Sequence, residues 1–273
     1  MRRLFEVNGY HVLACELCGH QSAELTSVEN HIGNVYADAY FFGGGAGYTD
    51  YLSESELLID HGRRYAKILS RYTKPGLVLD VGSAAGFLLK GFVGAGWIGS
   101  GIEPNERMVQ HARSQLGLNV NVGSLETFET HERFDLITMI QVVGHFIDLQ
   151  EVFAVASKHL AAGGFLLVES WDRKSWTARL FGKRWHEYSP PSVVHWFSRD
   201  GLDRLGANHG LKPIASGRPT KWVNGAHARS LLKHKLESSS VGRALSVLTH
   251  LIPSRLPIPY PSEDLFWTLF QKD

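Results

Sequence analysis

The chain has little cysteine, little net charge and no long apolar run, and each shortage removes a class of protein. Two cysteines in 273 residues, Cys15 and Cys18, are too few and too close together for a disulfide framework, so a reducing compartment is the simplest reading. No run of about 18 uninterrupted apolar residues exists to cross a bilayer. The start, Met1-Arg2-Arg3-Leu4-Phe5-Glu6, has no apolar core of signal-peptide length, which points to a cytoplasmic protein. The 28 Lys and Arg nearly cancel the 27 Asp and Glu, and a net charge of +1 excludes a surface built wholly for nucleic acid. Charge is uneven along the chain, however. Residues 1–170 carry 12 basic and 19 acidic side chains, residues 171–273 carry 16 and 8, and an anionic partner should therefore meet the C-terminal part.

What is present is ample material for a core, with 44% apolar and 11% aromatic residues. From residue 73 onward short apolar runs alternate with amphipathic ones, the pattern of a parallel sheet covered by helices. Strands are expected at Leu77–Val81, Trp97–Ile102, Val120–Val122, Phe134–Ile140 and Phe165–Glu169. Helices are expected at Phe87–Val93, Glu106–Leu116 and Leu149–Leu160, the last stopped by Gly163-Gly164. Beyond residue 170 a Trp-rich, basic segment leads to a helix at Arg199–His209 and strands near Leu211–Ser216 and Leu265–Phe270. The residues between those two strands read as an insertion, with a basic amphipathic stretch (Ala226 to Leu251) and a Pro-rich run (Ile252 to Pro261) that breaks any helix.

The segment with most chemical content is Val78-Leu79-Asp80-Val81-Gly82-Ser83-Ala84-Ala85-Gly86, an apolar strand ending in a small-residue turn that runs into a helix. Such a turn lets a ligand approach the backbone, and the helix start offers free N–H groups. Asp80 sharpens the reading, because a phosphate gains nothing from a nearby carboxylate whereas a ligand with an ammonium group does. Glu103 closes the second strand, where an acid can accept both ribose hydroxyls at the switch point of an open sheet.

These residues resemble the class I S-adenosylmethionine-dependent methyltransferases, from about Tyr36 to the end. Asp80 to Gly86 is similar to the family's first motif, with Ala84 at its middle glycine, and Gly101-Ile102-Glu103-Pro104-Asn105 to its ribose-binding segment. Gly123-Ser124-Leu125-Glu126 stands at the adenine-contacting loop, with Ser124 where the family often has Asp. Phe134 to Phe146, with Gln141 and His145, resembles strand four and its following loop. A narrower resemblance is to a subgroup with Cys-x-x-Cys-Gly at the start, a Tyr-rich approach and an aromatic-His segment after strand five, here Cys15 to Gly19, Tyr36 to Tyr51, Arg184 to Tyr188 and His195-Trp196-Phe197-Ser198.

The resemblance implies an α/β fold, a doubly wound, mostly parallel seven-stranded sheet of Rossmann-like methyltransferase type, with an N-terminal cap and a helical insertion before the last strand. It divides the chain into a cap and lid (1–50), an S-adenosylmethionine-binding domain (51–219), the basic and Pro-rich insertion (220–262) and the last strand (263–273). The cofactor residues it implies are Asp80, Gly82, Ala84, Gly86, Glu103, Pro104, Ser124, Leu125, Glu126 and Gln141. Tyr40 and Tyr48, around Gly43-Gly44-Gly45, are candidates for a lid over the cofactor, a packed aromatic turn being the plainer reading. The implied reaction is methyl transfer to a small-molecule acceptor, a hydroxyl of a sugar, lipid-linked or secondary-metabolite substrate by preference and a nitrogen or carbon otherwise.

A hydroxyl nucleophile must lose a proton, and histidine suits that task. His195 is the favoured base and His145, at the pocket wall, the alternative. Zinc would need four donors, of which Cys15 and Cys18 supply two and His11, His20 or His31 the remainder. The stretch Arg218 to Arg255 holds seven Lys or Arg and one acid, Glu237, so residues 226–261 are a candidate for peripheral membrane contact or an anionic, lipid-linked acceptor, a solvated helix being the plainer reading. Trp171, Trp176, Trp185 and Trp196 serve equally as pocket walls or core. Two other readings stay open, a nicotinamide-dinucleotide oxidoreductase, for which the third glycine of G-x-G-x-x-G is missing, and an inactive cofactor-binding partner of another methyltransferase. Nucleic acid is not an expected substrate, because no Pro-Pro loop follows strand four.

Overall fold

The computed structural model describes residues 1–25, 41, 50–225, 229, 253, 256–260 and 262–273. Tyr40, Tyr48, the Gly43 to Gly45 run, His31 and, apart from Arg229, the stretch Ala226 to Leu251 lie outside the described residues.

Asn8 and Gly9, both left-handed (φ 51° and 80°), turn the chain between β1 (Arg2–Val7) and β2 (Tyr10–Ala14), and β3 (Gln21–Ala23) pairs antiparallel with β2. Helix α1 (Ser55–Leu69) precedes the main sheet. Strand and helix then alternate as β4 (Leu77–Val81), α2 (Phe87–Gly94), β5 (Ile98–Glu103), α3 (Glu106–Leu116), β6 (Asn119–Val122), β7 (Phe134–Ile140), α4 (Leu149–His159) and β8 (Leu160–Trp171). There follow α5 (Trp176–Phe181), β9 (His195–Trp196), which pairs with β3, α6 (Arg199–Ala207), β10 (Leu211–Gly217), the two-stranded ribbon of β11 (Lys221–Asn224) and β12 (Pro257–Tyr260), and β13 (Leu265–Lys272). The main sheet has seven strands in the order β10-β13-β8-β7-β4-β5-β6, parallel from β8 to β6, with β13 antiparallel to both neighbours. This is the doubly wound, mostly parallel arrangement that the resemblance implies, and its parallel part is the helix-covered sheet that the alternation of runs predicts.

Strand parity decides what each face carries. Leu79, Val81, Ile137, Met139, Leu166 and Val168 pack on the side of α4 and α6, while Val78, Leu136 and Leu167 pack against α1, α2 and α3. The same parity puts Asp80, Thr138 and Glu169 among the second set, polar residues buried in an otherwise apolar layer. Helix ends follow from local chemistry. Asn105 accepts the Met108 N–H at 3.0 Å and starts α3, left-handed Gly117 (φ 66°) ends it, and Asp148 accepts the Gln150 and Glu151 N–H groups to start α4.

Three elements differ from the sequence expectation. Helix α1 lies before the residue where the alternating pattern becomes readable, because His61 and Tyr65 interrupt its apolar stripe. It sits backbone to backbone on α2 through two glycines: a Cβ on Gly62 would fall 2.2 Å from the Leu88 carbonyl oxygen, and one on Gly91 2.3 Å from that of Ile59. Gly163-Gly164 does not stop α4. The helix ends at His159, and Gly163 (φ 71°) lies within β8, where Leu160 faces Phe134 but Phe165 faces Leu136, so the intervening residues bulge. The Pro-rich run is also more ordered than a helix breaker needs to be, since Pro257 and Pro259 face Asn224 and Trp222 in the ribbon.

Candidate active site

The C-terminal ends of β4, β5 and β7 open onto one crevice of about 1170 Å³, open to solvent on one side. The turn after β4 forms one wall. Gly82, Ala84 and Gly86 are all left-handed (φ 68°, 46° and 81°), and a Cβ on Gly82 would fall 2.5 Å from Val142 Cγ1. Ala84 holds this conformation although it has a Cβ, with its N–H donating to Glu103 Oε2 at 2.9 Å. The other oxygen of Glu103 accepts the Asn105 N–H at 2.9 Å, which leaves a lone pair on each oxygen at the cavity wall. Pro104, Ser124, Leu125 and Gln141 line the same cavity, which Phe41, Tyr51 and Trp222 of β11 border with aromatic surface. Tyr51 stacks on Phe87 at 5.7 Å and meets Phe41 edge-on at 5.5 Å.

Asp80 and Glu126 stand differently. Asp80 lies behind the turn, 1% exposed, with Oδ1 accepting the Thr138 hydroxyl at 2.5 Å and Oδ2 buried without a partner among the described residues. Glu126 keeps a buried, unpartnered Oε2 and is not among the cavity walls. Burial pushes the carboxyls of Asp80 and Glu103 up to about 7, against the hydrogen bonds that each accepts. The sign of the pH dependence follows. Between about pH 4 and 7 the unfolded chain releases protons that these two groups keep when folded, so stability falls as pH rises, by up to about 1.4 kcal/mol per pH unit for each group. The ligand-free protein should therefore melt at lower temperature at pH 7.5 than at pH 5. Asp80→Asn, which retains an acceptor for Thr138, should flatten that slope in a series of thermal melts, and an unchanged slope would count against the assignment.

Two wall residues, His61 and Gln141, are held by a cluster of which the sequence reading named Gln141 alone. Glu169, fully buried at the end of β8, accepts His61 Nε2 at 3.0 Å, the Tyr65 hydroxyl, and Gln141 Nε2 at 2.6 Å. Burial and the Glu169 charge raise the Tyr65 phenol, which keeps it a donor. Gln141 is itself left-handed (φ 58°), its N–H bonded to the Glu169 carbonyl at 2.9 Å, so both ends of Gln141 are tied to β8. Two signals were available: an acid closing the apolar run Phe165 to Val168, and His61 and Tyr65 four residues apart, hence on one helix face.

The two histidines chosen from the sequence lie to one side. His145 borders the large cavity and a smaller one of about 280 Å³, with Nδ1 2.8 Å from the Ser192 carbonyl oxygen and Nε2 3.1 Å from that of Gln141. His195 borders only the smaller cavity. Its Nδ1 is 3.0 Å from His20 Nε2, its Nε2 is 3.3 Å from the Ile147 carbonyl oxygen, and burial lowers the affinity of both rings for a proton, that of His20 to about 3. Trp185 and Trp196 are core residues of this region, Trp171 borders the smaller cavity and Trp176 is exposed. Among the described residues no three His, Cys, Asp or Glu side chains converge as metal ligands, and none of the helices is long and apolar enough to cross a membrane.

Residues 56–216, more than half of the chain, match the family described as "Methyltransferase domain". The chain is 30% identical over 157 residues to dTDP-3-amino-3,4,6-trideoxy-alpha-D-glucopyranose N,N-dimethyltransferase of Streptomyces venezuelae, covering 56% of this chain and 60% of that protein. It is 29% identical over 142 residues to a ubiquinone biosynthesis O-methyltransferase of Paramagnetospirillum magneticum, covering 45% and 57%. The match thus spans somewhat over half the length of either relative. The structure of an S-adenosylmethionine-bound amino pentose methyltransferase from Micromonospora echinaspora superposes with a TM-score of 0.51 at 16% identity, over 82% of this chain and 94% of that one. The chain belongs to the methyltransferase domain family, with the Rossmann-like fold of S-adenosylmethionine-dependent methyltransferases and a crevice at the C-terminal ends of its strands.

Proposed function

We propose that this chain transfers a methyl group from S-adenosylmethionine to a hydroxyl of a small-molecule acceptor, with His61 as general base. The observation that carries this reading is one cavity bordered by Glu103 and the left-handed turn and also by His61, which Glu169 holds from behind. The residues fit the cofactor: Glu103 keeps lone pairs for a ribose diol, Ser124 and Leu125 offer a wall for the base, and the buried, unpartnered oxygen of Asp80 lies behind the turn, where it favours a positively charged amino group. When bound, S-adenosylmethionine supplies an activated methyl group on a sulfonium sulfur.

The chain's own residues do the rest. A carboxylate cannot donate, so the 3.0 Å contact places the proton of His61 on Nε2 and the lone pair on Nδ1. Nδ1 takes the hydroxyl proton as the acceptor oxygen becomes a nucleophile, and Glu169 stabilises the resulting positive ring. Glu169 in turn is held by Tyr65 and Gln141, so the base is oriented by groups that do not depend on solvent. The aromatic border of Phe41, Tyr51 and Trp222 limits water around the reacting atoms. An amine acceptor is the second reading, favoured by the N,N-dimethyltransferase relative. Calorimetric titration with S-adenosylmethionine, S-adenosylhomocysteine and NAD tests the frame: the two sulfur compounds should bind and NAD should not. Binding of NAD alone, or of none, would sink it.

A further inference from the structure

Beside the crevice, on the far side of His61, lies a second cleft of about 630 Å³ between α1 and the link from β10 to β11. Its charged walls are all basic: Arg64, Lys67 and Arg71 along one side of α1 and just past its end, and Arg218 from the link. Acids stand near but do not border it. Asp60 is paired with Arg63 at 2.8 Å, Glu263 lies 3.8 Å from Arg218 Nη2, and Glu169 is taken up by His61, Tyr65 and Gln141. Arg218 also donates to the Ser262 carbonyl at 3.4 Å, while Lys67 and Arg71 have no side-chain hydrogen bond or ion pair among the described residues.

Arg64 is the informative member. Its Nη2 is buried and has no hydrogen-bond partner among the described residues, and desolvation lowers the proton affinity of its guanidinium. A guanidinium desolvated without an acceptor is a standing energetic cost, and an anion in the cleft that Arg64 borders lowers that cost by its charge. Arg64, Lys67, Arg71 and Arg218 together bring more charge and more donors than a single carboxylate can use, which suits the several oxygens of a phosphate.

We infer that this cleft binds the phosphate or diphosphate end of the acceptor, with the methylated end across His61 in the crevice. His61 borders both spaces, and Arg64 follows it by three residues, about 5 Å along the helix. The inference rests on the methyltransferase reading for the destination of the acceptor, but the anion site itself can be tested apart from it. The phosphate can belong to a soluble phosphorylated compound or to a lipid headgroup.

Inorganic pyrophosphate, titrated into the whole chain at low salt, is the first probe. Binding should weaken about tenfold in Arg64→Gln and again in Arg218→Gln, each change being worth one charge-assisted contact, with little change in S-adenosylhomocysteine affinity. The two variants lie on different elements, so a folding defect in one leaves the other informative. Vesicles of phosphatidylcholine with and without phosphatidic acid separate the sources. Binding to the acidic vesicles that pyrophosphate displaces points to a headgroup, and pyrophosphate binding without vesicle binding points to a soluble compound; either supports the site. Absence of pyrophosphate binding, or equal binding by wild type and both variants, overturns it. If S-adenosylhomocysteine still binds in that case, only the cleft has failed; if it does not bind even to wild type, the methyltransferase reading has failed as well.

Discussion

Glu103→Ala should lower affinity for S-adenosylhomocysteine by about 100-fold or more, the loss of two hydrogen bonds to a charged acceptor at about 1.5–3 kcal/mol each, partly offset by relaxation. The carboxylate acts twice in this crevice. In the proposed reading it offers the acceptors for a ribose diol, and it holds the Ala84 N–H at 2.9 Å, which keeps a non-glycine residue at φ 46°. Removing it therefore takes away a ligand contact and loosens the turn that shapes the site. Glu103→Gln keeps one acceptor oxygen and should fall between wild type and Ala. Glu126→Gln, outside the cavity walls, should change affinity little. Calorimetric titration of the three variants gives the order directly, and Glu103→Ala binding within threefold of wild type would place the cofactor elsewhere.

The turn after β4 and the acid that closes β5, the half of the candidate site proposed to hold the cofactor, were legible in the sequence because they are local. Asp80 to Gly86 is one strand, one turn and one helix start, and its special backbone angles demand small residues at fixed places. Glu103 was legible for the same reason, as the last residue of a strand whose neighbour is β4. The acceptor half was not, because it is assembled across the chain. Glu169 lies 108 residues from His61, and nothing in the spacing says that α1 crosses the sheet above the end of β8. That crossing depends on Gly62 and Gly91, which read from sequence as weak positions in helices and not as a contact. His195 attracted attention through its aromatic neighbours, but those neighbours, Trp185 and Trp196 with Val193, make a core of their own with β2, and they carry His195 to the smaller cavity. Periodicity thus located the sheet, and parity within β8 decided which side Glu169 faces.

Turnover gives the sharpest test of that assembled half. His61→Ala should reduce kcat by about 10²- to 10⁴-fold, the usual contribution of a positioned general base, and leave S-adenosylhomocysteine affinity within a few-fold of wild type. Glu169→Gln should reduce kcat less, because His61 stays in place while its partner loses the charge that stabilises a protonated ring. His195→Ala supplies the decisive contrast. Its ring faces His20 and the Ile147 carbonyl at the smaller cavity, so turnover should fall far less than in His61→Ala. The reverse order, with His195→Ala crippled and His61→Ala close to wild type, would return the proton transfer to His195 and leave the His61–Glu169 pair as a buried brace between α1 and β8.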